Sequence, residues 1–357
     1  MKTANLKTKI FLDSGDPAET RQALDLLGFL DGQTTNPSLI AKNPATAGKK
    51  FSKNQLTDFY KGVVREVSSL IPRGSVSIEV YADQKTSAEQ MLEQGRQFFK
   101  WIPNAHIKYP ITKEGLKAAE ISVKEGMRVN MTLVFSQEQA AAVYAATLNQ
   151  SLRSPHQSSF YSSGTGQAGT GQAKGAKKGD ARLPTPAAVG NPPASTSEAS
   201  RAGGGQVFLS PFVGRLDDRG EQGMDLIKNI IRMYHPPLTP PVKGGETADS
   251  HVEVLVASVR SLEHFMRSIE LGADIITTPL KILKEWAAAG FPLPLGEGQP
   301  ALHRSQTTGA GGEGSKLRSI PYQEINLTKP WQQHNIHHDL TDKGIEKFAA
   351  DWNSLIE

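Results

Sequence analysis

Short apolar runs of β type alternate with longer segments of helical period eight times along this chain. The strand-like runs lie at 9–13, 32–35, 76–80, 106–109, 128–134, 207–209, 252–257 and 274–277. Helical periodicity follows each, at 17–30, on to residue 70, and at 87–100, 112–125, 137–147, 221–234, 262–271 and 280–289; a last helix is expected over about 341–356. Thr112 stands as the N-cap of its segment. Such alternation calls for a parallel sheet with helical crossovers, and eight units in a row argue for closure into a (β/α)8 TIM barrel with a C-terminal helix. The alternative, an open doubly wound sheet, usually carries a Gly-rich phosphate loop after its first strand. Here that strand runs into Asp13-Ser14-Gly15-Asp16-Pro17, which is no such loop.

Three stretches break the alternation, at about 150–206, 236–250 and 291–320, with phrases such as GTGQAGTGQAKG, PPLTPPVKGG and GFPLPLGEGQP. They offer too little apolar surface to offset ordering entropy, so they read as long low-complexity, disordered insertions in a single barrel domain spanning 1–357. The first two follow a helix and precede a strand, and the third follows the eighth helix. In a barrel of this kind such connections lie at the N-terminal face, whereas chemistry sits at the C-terminal face.

Composition removes several function classes. The formal net charge is +4, and residues 154–206, with five basic and two acidic side chains, supply +3 of it. The positive charge thus sits in a low-complexity segment and not on a patterned face, which argues against nucleic-acid binding. With no cysteine, disulfides, thiolate nucleophiles and Cys-ligated metals are excluded. The opening MKTANLKTKIFLD lacks the apolar run of a signal peptide, and no stretch approaches the ~18 consecutive apolar residues of a membrane span. A cytoplasmic location is the expectation.

Polar residues then appear where a barrel core belongs. Positions i and i+2 of a strand share a face. At that spacing stand Ser77 and Glu79, His106 and Lys108, Asn130 and Thr132, Ser210 and Phe212, and Ser258 and Arg260, with Arg215 three beyond Phe212. Asp13 ends the first strand, and Asn36 follows the second. If each set points inward, these groups meet at one mouth. A lysine inside a barrel, desolvated and near other cations, has an amine freed to attack a carbonyl; the same lysine also reads as a strand-edge residue reaching for water. Asp13 and Glu79 suit proton transfer or are solvated loop carboxylates. Asn36 and Asn130 suit substrate hydroxyls, although Asn36 before Pro37 also suits a turn. Arg215 and Arg260 suit a phosphate, or an ion pair with a neighbour such as Asp217 or Asp218. His334, His337 and His338 lack a carboxylate frame at ligand spacing, so no metal is expected.

Taken in order, Thr34-Thr35-Asn36-Pro37-Ser38-Leu39, Ile107-Lys108-Tyr109-Pro110, Asn130-Met131-Thr132-Leu133-Val134-Phe135-Ser136 and Ser210-Pro211-Phe212-Val213-Gly214-Arg215 resemble transaldolase, and Phe11-Leu12-Asp13 and Ala257-Ser258-Val259-Arg260 add to the likeness. The likeness covers all eight units and the last helix and lapses across the three insertions. It implies a cofactor-free, metal-free transferase of the pentose phosphate pathway. Such an enzyme moves a dihydroxyacetone unit from sedoheptulose 7-phosphate to glyceraldehyde 3-phosphate, giving erythrose 4-phosphate and fructose 6-phosphate. Carried over by motif, Lys108 forms the Schiff base and Asp13 handles protons at the cleaving C–C bond. Glu79 and Thr132 hold the water of imine formation and breakdown. Thr35, Asn36, Asn130, Ser210 and Phe212 contact the three-carbon unit, and Arg215, Ser258 and Arg260 take the phosphate. Phosphorylated sugars are the implied partners, with a homo-oligomer the implied state. The sister activity, fructose-6-phosphate aldolase, would carry Gln where this chain has Glu79 and Tyr where it has Phe212. An inactive barrel serving as a binding scaffold is the alternative from another class, and the filled catalytic-type positions argue against it.

Overall fold

A computed structural model describes residues 5–148, 207–236, 250–293 and 317–357. The chain divides into two units, Met1–Leu148 with Gly205–Glu357, and Asn149–Gly204. The second lies wholly outside the described residues, as do most of the three stretches read as insertions.

In the first unit eight parallel strands close on themselves in sequence order. They are β1 (Lys9–Asp13), β2 (Gly32–Thr34), β3 (Ser75–Glu79), β4 (Ala105–Pro110), β5 (Val129–Val134), β6 (Val207–Pro211), β7 (Val252–Val256) and β8 (Ile275–Thr278). Helices α1 (Pro17–Leu27), α2 (Pro37–Ala41), α3 (Lys53–Leu70), α4 (Ala88–Phe99), α5 (Lys113–Lys124) and α6 (Gln137–Thr147) form the crossovers of the first half. In the second half α7 (Val213–Asp218), α8 (Gly223–Tyr234), α9 (Leu262–Glu270) and α10 (Leu280–Ala288) do the same, and α11 (Asp339–Asn353) closes the chain. This is the (β/α)8 barrel that the alternation calls for. No helix among the described residues is long and apolar enough to cross a membrane.

Local chemistry starts most crossovers. Asp16, Ser87, Thr112, Ser136 and Ser261 each accept a backbone N–H of the helix they open, and Ser52 with Gln55 forms a reciprocal capping box. Two helices depart from the sequence reading. The segment before residue 70 is broken after Ala41, where Asn43 caps a tight turn at Pro44–Thr46, because proline ends the preceding helical run. A short helix, α7, also precedes α8, where the periodicity was too brief to register.

Apolar packing fills the lower barrel. Phe11 meets Phe208 edge-on at 5.9 Å between ring centroids, and the His106 ring stacks on Phe208 at 4.0 Å. Burial in this layer holds the His106 pKa well below its ordinary value. A side chain at Gly32 would meet the Phe11 ring at 2.5 Å, so β2 needs glycine there. Above this plug the strands' C-terminal ends open into a polar mouth.

Residues 317–338 lead to that mouth. Arg318 exchanges backbone hydrogen bonds with Gly220 and Gln222, and the Ile320 N–H donates to Asp225. Residues 317–320, read in sequence as the end of an insertion, are therefore docked on the barrel. Farther on, α11 lies over the mouth. Thr341 Oγ1 donates to the Leu133 carbonyl at 2.9 Å, and Phe51 and Leu355 pair through their backbones beyond the other end. Gly344 allows the close approach: a Cβ there would lie 2.6 Å from Leu133 and 2.7 Å from the Arg215 guanidinium.

Candidate active site

Lys108 is built into β4 between Glu79 on β3 and Asn130 on β5, its register partners on either side. It is 2 % exposed, and its Nζ lies 3.0 Å from Glu79 Oε2. The strand-edge alternative fails: the side chain points into the barrel. The sequence reading placed cations around it, yet the charge in contact is a carboxylate. Glu79 is 4 % exposed, and burial raises its pKa against the pull of Lys108. A buried carboxyl with a raised pKa can hold or release a proton beside the amine.

Lys108 faces a cavity of about 240 Å³ whose lining includes Asp13, Asn36, Ser210, Phe212, Arg215, Ser258 and Arg260. The ends of β1, β2, β4, β6, β7 and β8 thus converge on it, whereas Glu79, Asn130 and Thr132 are buried without lining it. Asp13 Oδ1 accepts from Thr34 Oγ1 at 2.6 Å, and Thr34 also bonds Thr277 at 2.6 Å. Enclosure raises the Asp13 pKa, with Lys108 and Thr34 opposing. Asn130 is fully buried beneath the cavity; its amide donates to Ser77 Oγ at 3.1 Å and its carbonyl accepts from Ser210 Oγ at 2.7 Å. Thr132 is buried, and its Oγ1 has no hydrogen-bond partner among the described residues.

Thr35 stands apart. Instead of the substrate contact expected of it, its hydroxyl bonds Tyr60 at 2.5 Å and the Ser77 carbonyl at 2.7 Å, behind the sheet. Asn36 both lines the cavity and caps α2 by accepting the Leu39 N–H, so its turn role and a ligand role coexist.

The outer end of the cavity is cationic. Arg215 lies between two aromatic faces, 5.2 Å from the Phe212 ring and 5.4 Å from Phe348. Burial, with Arg260 adding to it, lowers the Arg215 pKa. The ion pair weighed for Arg215 belongs to Arg260, which holds Asp218 at 2.5 Å; Asp217 instead pairs with His264 at 2.6 Å. Ser258 is held at φ 57°, a strained left-handed conformation, and its carbonyl accepts the Gly214 N–H. That bond ties the loop carrying Arg260 to the helix carrying Arg215.

Lys42, Lys347, Phe348 and Asp351 also line the cavity and escaped the sequence reading. Asp351 accepts a hydrogen bond from Ser38 and pairs with Lys347 at 2.5 Å. The three histidines serve separate contacts: His334 with Glu138 at 2.8 Å, His337 with Asp342 at 3.3 Å, and His338 capping α11. The described residues contain no group of three or more side chains arranged to hold a metal ion.

The site is thus a lysine–carboxylate pair enclosed beneath a cationic mouth. The family model described as transaldolase/fructose-6-phosphate aldolase matches residues 10–357. The chain belongs to this family. Among similar proteins, a probable transaldolase of Dehalococcoides mccartyi is 29 % identical over 347 residues, covering 97 % of this chain and 99 % of the relative. A probable transaldolase of Bdellovibrio bacteriovorus is 30 % identical over 345 residues, covering 97 % of each chain. One from Methanococcus vannielii is 29 % identical over 349 residues, covering 98 % of this chain and 99 % of the relative.

Proposed function

We propose that this protein is a transaldolase that carries a dihydroxyacetone unit from a ketose phosphate to an aldose phosphate as an imine on Lys108. Its substrates in this reading are sedoheptulose 7-phosphate and glyceraldehyde 3-phosphate. The observation that carries the reading is the 3.0 Å pair of Lys108 and Glu79, enclosed where the strands end. The amine attacks the donor's ketone, and the protonated imine becomes the electron sink that lets the C–C bond break without metal or cofactor. Asp13, which lines the same cavity as Lys108, takes the hydroxyl proton as the bond breaks and returns it to the acceptor's aldehyde oxygen. Asn36 and Ser210 orient the three-carbon unit, with Asn130 holding Ser210 from below. Thr132, with its unengaged buried hydroxyl, has the capacity to help hold the reacting water. Borohydride added with fructose 6-phosphate is expected to fix the donor's three-carbon fragment on Lys108, read as a mass increment on the peptide containing it. An unmodified Lys108 would overturn the reading.

Arg215 and Arg260 bind the phosphate, and Ser258 adds a hydroxyl. Replacing either arginine with Ala is expected to raise KM for phosphorylated acceptors by about 10- to 100-fold, the worth of one charge-assisted contact. Unphosphorylated acceptors are expected to change little. Equal losses on both would mark the arginines as structural.

Glu79 and Phe212 favour transfer over simple cleavage. The Phe212 ring lies 5.8 Å from Lys108 Nζ and offers neither a proton nor an anchor for water. Phe212→Tyr is expected to increase release of glyceraldehyde 3-phosphate from fructose 6-phosphate without acceptor. No gain, with the imine still trappable, would show that this ring does not control the partition.

A further inference from the structure

We propose that water reaches and leaves the Lys108 imine from behind, through a second cavity on the Glu79 side, while sugars use the cationic mouth. The proposal rests on the imine reading above. Lys108 lines the front cavity and Glu79 does not. Glu79 lines a separate cavity of about 460 Å³ between α3, α4 and the end of α11. Its other polar walls include Tyr81, Asp83, Gln94, Gln97 and Asn353. The buried pair therefore stands as a partition, with the amine on one side and the carboxyl on the other.

A void of about 10 Å³ shares Glu79 and Tyr81 with the rear cavity and Phe348 with the front one, and is otherwise walled by apolar groups such as Leu133 and Ile345. That is close to the space one water needs. Glu79 and Tyr81 border both the void and the rear cavity, so the two spaces share a polar wall. The rear wall is held in place. Gln94 accepts the Tyr81 N–H at 3.1 Å and donates to its carbonyl at 3.3 Å. The Tyr81 hydroxyl donates to Asp83 at 3.2 Å and accepts from Asn353 at 3.1 Å. Tyr60, from α3, accepts the Glu79 N–H at 2.9 Å and fixes the backbone of the partition.

The chemistry gives this division a purpose. When the imine forms, the ketone oxygen leaves as water, taking one proton from the amine and one from the Glu79 carboxyl. On release, water adds to the iminium carbon, Glu79 recovers a proton, and the C–N bond breaks. In both steps the sugar occupies the front cavity, so water from that side would have to pass it. Between them stands a carbanion that must not be protonated by solvent; the Phe212 ring lies 5.8 Å from Lys108 Nζ, and Phe212 and Phe348 are apolar walls of the same cavity. A rear supply metered by Glu79 meets both demands.

The test follows the oxygen. The donor ketose and acceptor aldose are reacted in 18O-water with rapid quenching, and the C2 oxygen of the product ketose is read by mass. The parent is expected to install solvent oxygen. The exposed Gln97 and half-buried Thr57 face the rear cavity from α4 and α3 and lie away from the sugar. Gln97→Trp, and Thr57→Trp with it, are expected to lower turnover roughly fivefold by gating. They are also expected to shift the product towards the donor's own oxygen, because the displaced water is held and used again. Borohydride trapping on Lys108 is expected to persist in both variants. Parent-level labelling and turnover in the trappable variants would overturn the rear route alone. Absence of any trapped adduct in the parent would remove the imine reading and the route with it.

Discussion

Lys108→Met is expected to abolish borohydride trapping and to lower transfer by on the order of 10⁵-fold, in keeping with loss of a covalent nucleophile. Methionine fills nearly the same volume with an apolar chain. The cost of removing one partner from a buried ion pair is ordinarily large, because the remaining charge is stranded. Here the remaining partner can discard its charge. Burial already raises the Glu79 pKa, and without Lys108 the main opposing influence disappears. Glu79 is expected to stay protonated, and the variant to fold with only a modest change in Tm. Lys108→Arg supplies the complementary case, a positive charge beside Glu79 with no amine able to form an imine. It is expected to be as inactive as the methionine variant. Lys42 and Lys347 line the same cavity from its exposed rim. A trapped adduct on either of them in these variants, together with retained transfer, would move the chemistry away from Lys108.

The barrel was legible in sequence because its signal is repetitive. Eight strand-like runs, each followed by a helical period, leave few topologies, and all eight strands fall where the apolar runs are. The convergence of side chains was legible for a related reason. Alternation along a strand puts Lys108 on the face opposite Tyr109, and the same rule places Ser210. What alternation cannot supply is register between strands. The contact between Glu79 and Lys108 follows from the β3–β4 stagger, which sequence spacing does not encode. Thr35 shows the converse limit. It sits inside a motif whose neighbour Asn36 faces the cavity, and it points behind the sheet to Tyr60. The contributions of α11 were hidden as well. Lys347, Phe348 and Asp351 reach the mouth because a terminal helix folds back across it, a tertiary event with no local pattern. The assignment of ion pairs at Asp217 and Asp218 had the same origin, since both partners come from the following β/α unit.

Asp13→Asn is expected to reduce transfer by about 10²- to 10⁴-fold, the usual worth of a positioned acid–base group, while making the fold more stable at neutral pH. The substitution keeps the geometry: an amide oxygen can still accept from Thr34 Oγ1, as Asp13 does at 2.6 Å. It removes the capacity to take the hydroxyl proton when the C–C bond breaks. The stability change follows from the sign of the pKa shift. Enclosure raises the Asp13 pKa above that of the unfolded chain, and Lys108 only partly offsets this. Between those two values the folded state holds more protons than the unfolded state, so stability falls as pH rises through the interval. Below the ordinary carboxyl range both states are protonated and the cost vanishes; above the raised value it is complete. Asn carries no charge at any pH and escapes it. The Tm of the variant is therefore expected to exceed the parent's by a few degrees at pH 7 and to converge with it below about pH 4. The parent's transfer rate, which needs Asp13 ionised, is expected to fall as pH drops through the same interval, and the residual rate of the variant is expected to lack that limb. A variant less stable than the parent at neutral pH would mean that the attraction of Lys108 outweighs the desolvation of Asp13. A variant retaining more than a tenth of the activity would place the proton transfer on another group at the mouth.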